Sequence, residues 1–162
     1  MTSRTRTYGW DDPLDTLSRA GGMSGLEVLQ AFARGELPAA PIGQTLGFAG
    51  FEVEHGTATF TVEPAEFHYN PIGVVHGGLA LALLDSAMGC AVHSTLAAGV
   101  TYTTLEVKAN FVRPLTAETG PVRCTGTVVH VGRRVATAEG RVVDAAGKLY
   151  AHGTSTLLIV GG

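Results

Sequence analysis

The stretch from His76 to Ala98, HGGLALALLDSAMGCAVHSTLAA, constrains this chain more than any other. Between Leu79 and Leu96 nearly every residue is Ala, Leu, Met, Val or another small side chain, and no face is plainly polar. A helix that is apolar all round must be buried nearly all round. No window approaches 18 uninterrupted apolar residues, so this is a core helix and no membrane span is expected. One flat sheet covers only one face of a helix, so the fold has to curve a sheet around it.

The rest of the sequence supplies that sheet. Ala58, Phe60 and Val62 alternate with Thr57, Thr59, Thr61 and Glu63, the period-two pattern of a half-buried strand. His55-Gly56 turns back to an earlier strand around Phe48–Glu54, giving a hairpin. After Gly99 the same period returns, with Leu105, Val107, Ala109 and Phe111 predicted on one face and Thr104, Glu106, Lys108 and Asn110 on the other. Further strands fit Val122–Val131, Val135–Asp144 and Leu149–Val160, joined by turns at Gly132-Arg133-Arg134 and Asp144-Ala145-Ala146-Gly147. Short turns between consecutive strands predict an antiparallel meander of four strands after the helix. The fold class is therefore α+β, a curved antiparallel sheet wrapped around one long helix. Ahead of it, Ser24-Gly25-Leu26-Glu27 is a capping-box pattern opening a short amphipathic helix that Gly35 and Pro38 end. Residues 1–23 show no clear period, and Pro38–Pro41 reads as a linker. Two parts follow: an arm with a short helix over residues 1–40 and the main domain over 41–162.

Charged residues make up only 15% of the chain against 45% hydrophobic ones, which points to surface covered by a second copy. The net charge is −3 and the basic residues are scattered, so nucleic acid has no electrostatic footprint to bind. The opening MTSRTRTYGWDD has no apolar run behind its arginines and does not read as a secretory signal. Cys90 and Cys124 lack metal-type spacing and read as reduced thiols of a cytoplasmic protein. None of the six histidines forms an HExxH pattern, so neither a metal nor a cofactor is expected.

Asp85 is the only formal charge in the apolar helix. A buried carboxylate costs several kcal/mol unless it is paired, hydrogen-bonded or protonated. The helical neighbours at three and four residues are Leu81, Ala82, Met88 and Gly89, none of which can pair with it. A structural Asp bonding Ser86 or backbone groups is one reading; a catalytic base or nucleophile is the other. The helix opens at His76-Gly77-Gly78, where free N–H groups favour negative charge and glycine lets a ligand approach the backbone. Such a terminus can serve as an oxyanion site. At about 1.5 Å per residue, Gly77 and Asp85 lie roughly 12 Å apart along the axis. One reacting carbonyl cannot touch both within one chain, so a shared site would take Gly77 from one subunit and Asp85 from another.

The series Asn70-x-x-Gly73-x-x-His76-Gly77-Gly78, followed by Leu84-Asp85, resembles the motif of hotdog-fold thioesterases of the phenylacetate-pathway (PaaI-like) and 4-hydroxybenzoyl-CoA type. The likeness runs from roughly Pro41 to Val160 and includes Phe111-x-Arg113-Pro114 and Gly132-Arg133-Arg134. It implies an acyl-CoA thioesterase acting as a homodimer, often a dimer of dimers, with sites at the dimer interface. It also implies that Asp85 is nucleophile or general base, that the Gly77 N–H binds the thioester oxygen, and that Asn70 orients the attacking group. His76 would fix the loop, and Gly78 would line the substrate site. A Ser or Thr on the strand after the helix also lines the site in similar proteins. Thr104 is the nearest match, with Thr103 one register away, although alternation turns Thr104 outward. Arg133 and Arg134 could hold the phosphates of coenzyme A, or simply be a solvated hairpin tip. A non-catalytic acyl-CoA-binding protein and a hotdog hydratase are the alternatives. The hydratase is disfavoured because Gly73 stands where its motif would want His.

Overall fold

The computed structural model describes residues 4–161; residues 1–3 of the expected arm and the final glycine lie outside it. Three short helices come first: α1 (Pro13–Arg19), α2 (Gly25–Ala33) and α3 (Pro41–Leu46). The hairpin β1 (Phe48–Glu54) and β2 (Thr57–Val62) follows, then the long helix α4 (Gly77–His93). Strands β3 (Thr101–Phe111), β4 (Val122–Val131), β5 (Val135–Asp144) and β6 (Leu149–Val160) complete one antiparallel sheet across which α4 lies.

The seat of α4 is written into the sheet register. Ala58 pairs with Gly126, Gly126 with Gly140, Gly140 with Gly153, and Gly153 with Ala109, a row of small residues across five strands. A Cβ on Gly126 would overlap the Ala87 backbone carbonyl, and one on Gly140 would lie 2.9 Å from Leu84 Cδ2. The missing side chains are what let the helix backbone come down onto the sheet. Around this trough Leu83, Leu84, Met88 and Val92 of α4 pack with Val62, Val122, Val142 and Leu157 of the sheet, all fully buried. Packing of this density leaves no room for an added methyl group.

The strand order, β1-β2-β4-β5-β6-β3, departs from the expected simple meander. β4, β5 and β6 do form consecutive hairpins, but β3 pairs with β6 and not with β4. The connection over residues 112–121 is too long for a tight hairpin; it carries Pro114, a short 3₁₀ turn and Gly120-Pro121, and it crosses from the edge strand to the middle of the sheet. β3 is consequently an edge strand.

β3 also breaks its own alternation. A bulge between Thr104 and Glu106 shifts the register against β6. Tyr102 and Thr104 face inward before it and Val107 and Ala109 after it, while Leu105 is 56% exposed. The uniform face predicted for Leu105 through Phe111 is therefore wrong by one residue at its start, because a bulge inserts a residue that counts on neither side.

α4 is shorter than the apolar stretch that announced it. It stops at His93, where Ser94 Oγ bonds the Ala91 carbonyl and accepts from the Gly56 N–H. Nor is it enclosed all round: Leu81 is 39% exposed, and Asp85, Ser86 and Cys90 are only half-buried.

The capping box of α2 is present, with Glu27 accepting from both the Ser24 N–H and Oγ at 2.7 Å. α1 interrupts the stretch read as period-free. Asp12 caps it and Pro13 starts it, but none of its residues is buried, so it carries no amphipathic signature. α3 likewise follows directly on the Pro38–Pro41 linker, ending at Gly47 with φ +72°. The arm is tied down by arginines: Arg4 to Glu66, and Arg6 to the Thr45 carbonyl and over the Phe67 ring.

Gly126→Ala is expected to lower stability by about 2–3 kcal/mol, since the helix must lift to admit the methyl group. Urea unfolding followed by circular dichroism measures it, and an unchanged midpoint would refute the close-packed seat.

Candidate active site

The conformation of His76 builds the N-terminal end of α4. Its imidazole folds back so that Nδ1 accepts from the Gly78 N–H at 2.9 Å, capping the helix. A Cβ on Gly78 would sit 2.8 Å from that nitrogen, so the cap requires glycine there. The cap uses up the Gly78 donor. The Gly77 N–H, by contrast, has no acceptor within the chain among the described residues. Just upstream, Asn70 Oδ1 accepts from Ile72 and Val74, which leaves its amide N–H groups available. Asn70, His76 and Gly77 line one cavity of about 280 Å³ together with Phe111 and Arg113.

Asp85 lies elsewhere. It opens on a larger cavity of about 500 Å³ between α4, the start of β3, the β1–β2 hairpin and the N-terminal helices α2 and α3. The Thr104 hydroxyl donates to Asp85 Oδ1 at 2.9 Å, an interaction made possible by the inward phase of β3 ahead of its bulge. No other hydrogen bond and no cation reaches the Asp85 carboxylate among the described residues, so Oδ2 faces the cavity unpaired. The surrounding wall includes five aromatic rings, those of Phe32, Phe48, Phe51, Phe60 and Tyr102. Phe60 stacks at a tilt against both Phe48 (5.3 Å) and Phe51 (4.6 Å). No Lys, Arg or His lines it.

Of the candidates, the structure thus brings Asp85 to Thr104, and Asn70 to His76 and Gly77, but keeps the two groups in separate cavities of one chain. Arg133 and Arg134 line neither; they sit exposed at the tip of the β4–β5 hairpin with no side-chain bond among the described residues. The aromatic wall, Ser86, Cys90 and Tyr102 were not picked out from sequence. Tyr102 could have been, since it sits two residues before Thr104 on the same strand face. The contribution of α2 was hidden because Leu29 and Phe32 read as ordinary core positions.

Cys90 is no rival nucleophile. Burial, with the Asp85 charge beside it, pushes its thiol up to about 12. Burial alone does the same to Cys124. Burial also depresses His93, keeping it neutral beside Tyr102. Among the described residues no three His, Cys, Asp or Glu gather as a metal site, and no helix is long and apolar enough to cross a membrane.

This geometry has relatives. A family model for the thioesterase superfamily matches residues 72–151. A variant of the phenylacetic acid degradation protein PaaI from Thermus thermophilus is 31% identical to this chain, covering 74% of it and 98% of its own length, with a TM-score of 0.66. This chain belongs to the thioesterase superfamily. Its hotdog architecture is that of a thioesterase from Haemophilus influenzae, at 22% identity, 82% and 90% coverage and a TM-score of 0.72, a likeness of fold alone. A 1,4-dihydroxy-2-naphthoyl-CoA hydrolase from Listeria monocytogenes is 25% identical over 116 residues, 72% of this chain and 93% of that protein. The superfamily match spans His76, Gly77, Asp85 and Thr104 and begins just after Asn70.

The thiols supply a test of the buried surroundings. A thiol raised to about 12 stays protonated at pH 8, so iodoacetamide should label native Cys90 about a thousandfold more slowly than a free cysteine. Mass spectrometry of native and urea-unfolded protein measures this. The unfolded chain ionises first, so stability is whole below the ordinary thiol value and falls as pH climbs from there toward 12.

Proposed function

We propose that this superfamily member is an acyl-CoA thioesterase that cleaves an uncharged acyl- or aryl-CoA to the free acid and coenzyme A at sites shared between two subunits. The observation that carries the reading is the pairing of two incomplete half-sites. One chain offers an unpaired carboxylate oxygen on Asp85 in one cavity and an unpaired N–H on Gly77 in another. In the shared site, Gly77 of one subunit would hold the thioester oxygen while Asp85 of the other, steadied by Thr104, drives attack. As a base, Asp85 takes a proton from water, whose oxygen bonds to the carbonyl carbon as the carbon–sulfur bond breaks and the thiolate leaves to be protonated. As a nucleophile, it bonds its own oxygen to that carbon, the thiolate leaves, and water then hydrolyses the mixed anhydride. Whether through direct attack or by taking a proton from water, the carboxylate uses the same free oxygen.

The leaving thiol has a pKa of ~8.5 and departs without strong protonation, so one carboxylate and an oxyanion donor suffice. Asn70 would orient the attacking group with its free amide, and His76 would hold the loop while Gly78 packs beneath it. Arg133 and Arg134, unpaired and exposed, would meet the phosphates of coenzyme A. The open edge of β3, with Leu105 and Phe111 each 56% exposed, supports sheet-to-sheet dimerisation, and a dimer of dimers would cover more of the weakly charged surface. Residues 1–40 would act as part of the acyl cavity through α2, in a cytoplasmic enzyme needing no cofactor.

Two variants test the shared site. Asp85→Asn should cut thiol release by about 10²-fold or more. Gly77→Pro removes the N–H and keeps the backbone path, because proline suits the first helical position and His76 (φ −62°, ψ 133°) already has the extended backbone that proline requires of its predecessor, while the added Cβ comes to contact distance, 3.4 Å, of the Phe111 ring. It should be similarly inactive with its helix content intact. Mixing the two under subunit exchange rebuilds one whole site per mixed dimer, restoring about a quarter of wild-type activity. No recovery in verified mixed dimers would show that the site is not shared, and no thiol release by wild type from any acyl-CoA would reject the thioesterase reading.

A further inference from the structure

The Tyr102 hydroxyl has a place that the reaction above does not use. It lies over Gly89, so close that a Cβ there would stand 2.6 Å from the phenolic oxygen. Gly89 is one turn beyond Asp85 on the same face of α4, about 6 Å along the axis. Tyr102 is thus held at the far end of the Asp85 cavity by a glycine that leaves it space. Its hydroxyl makes no hydrogen bond within the chain among the described residues. Yet no sealed-off side-chain oxygen or nitrogen lacks a partner among those residues. The hydroxyl is therefore not sealed off, and Tyr102 lines the Asp85 cavity.

Burial pushes the phenol's pKa upward, and the neighbouring Cys90 and Asp85 add to this, so it remains an O–H donor across the working pH range. The cavity around it is lined by rings, aliphatic side chains and the polar groups of Gln44, Asp85, Ser86 and Thr104, none of which bonds the hydroxyl among the described residues, and by no cation. A hydrocarbon acyl group filling this space would shut the hydroxyl off from solvent and offer it no acceptor. An acyl group carrying an ether, hydroxyl or keto oxygen at that end would not. An anionic acyl tail would meet no positive partner and the Asp85 charge besides.

We propose that Tyr102 is a specificity-determining residue: its hydroxyl, set over Gly89 inside the aromatic cavity, selects acyl groups bearing an uncharged acceptor oxygen remote from the thioester. The proposal rests on the reading of that cavity as the acyl site. A site built to donate a hydrogen bond discriminates against the analogue that lacks the acceptor.

The test uses a pair of matched size, methoxy- and ethyl-substituted benzoyl-CoA, with wild type and Tyr102→Phe. Wild type should favour the methoxy member by about tenfold in kcat/KM, and Tyr102→Phe should abolish that ratio, the worth of one hydrogen bond. A ratio unchanged by the substitution, or no preference in wild type, overturns the assignment. Calorimetric binding of the corresponding non-hydrolysable thioethers separates the two claims. A Tyr102-dependent preference in Kd without thiol release would keep this residue's role and remove the thioesterase reading. Turnover with no such preference would do the reverse, and no binding of either thioether would overturn both.

Discussion

Everything in this molecule depends on how closely α4 lies against its sheet. The row Ala58, Gly126, Gly140, Gly153, Ala109 crosses five strands in register and takes the helix backbone almost into contact with the strands. Leu84 and Met88 then fill the space above Gly140 that a side chain would otherwise occupy. Burial of the helix's apolar surface supplies the driving force, but the glycines decide its height and so the depth of every cavity around it. Because Asp85 and Gly89 are carried on the same rigid element, the polar points of the larger cavity inherit that height.

The candidate site is a matter of unspent hydrogen-bonding capacity. Most polar groups near it are consumed locally: His76 by the Gly78 N–H, the Asn70 carbonyl oxygen by its own loop, and one Asp85 oxygen by Thr104. Left over among the described residues are the Gly77 N–H, the Asn70 amide donors, the second Asp85 oxygen and the Tyr102 hydroxyl, with the Ser86 hydroxyl and the Gln44 side-chain amide beside the last two. These residual groups are divided between two cavities, one acceptor-rich around the carboxylate and one donor-rich at the helix N-terminus. Folded proteins rarely leave such groups idle, and complementary remainders on one surface are what a two-fold interface can bring together.

Much of this was legible in residue order. The apolar run around Asp85 announced a helix in need of a wrapping sheet, and period-two segments marked five of the six strands to within a residue or two. The capping box at Ser24 and Glu27 was readable because it is a local exchange of hydrogen bonds. What escaped was non-local. The β3 bulge, the pairing of β3 with β6 and the open stripe of α4 depend on partners far along the chain. An outward reading of Thr104 followed correctly from alternation and failed only because the bulge reset the phase. Phe32 looked like filler for a local core, yet α2 sets it in the wall of the Asp85 cavity.

The sequence by itself therefore determined which residues are candidates for the chemistry and which kind of fold must hold them, since a lone carboxylate in an apolar helix and a His-Gly-Gly helix start are anomalies of composition and spacing. Only the tertiary structure decided where those residues open. Whether Asp85 Oδ2, the Gly77 N–H and the Tyr102 hydroxyl are satisfied or free depends on groups brought close by packing. Hydrogen bonds and cavities act over a few ångströms of space, while the residues that make them lie tens of positions apart along the chain.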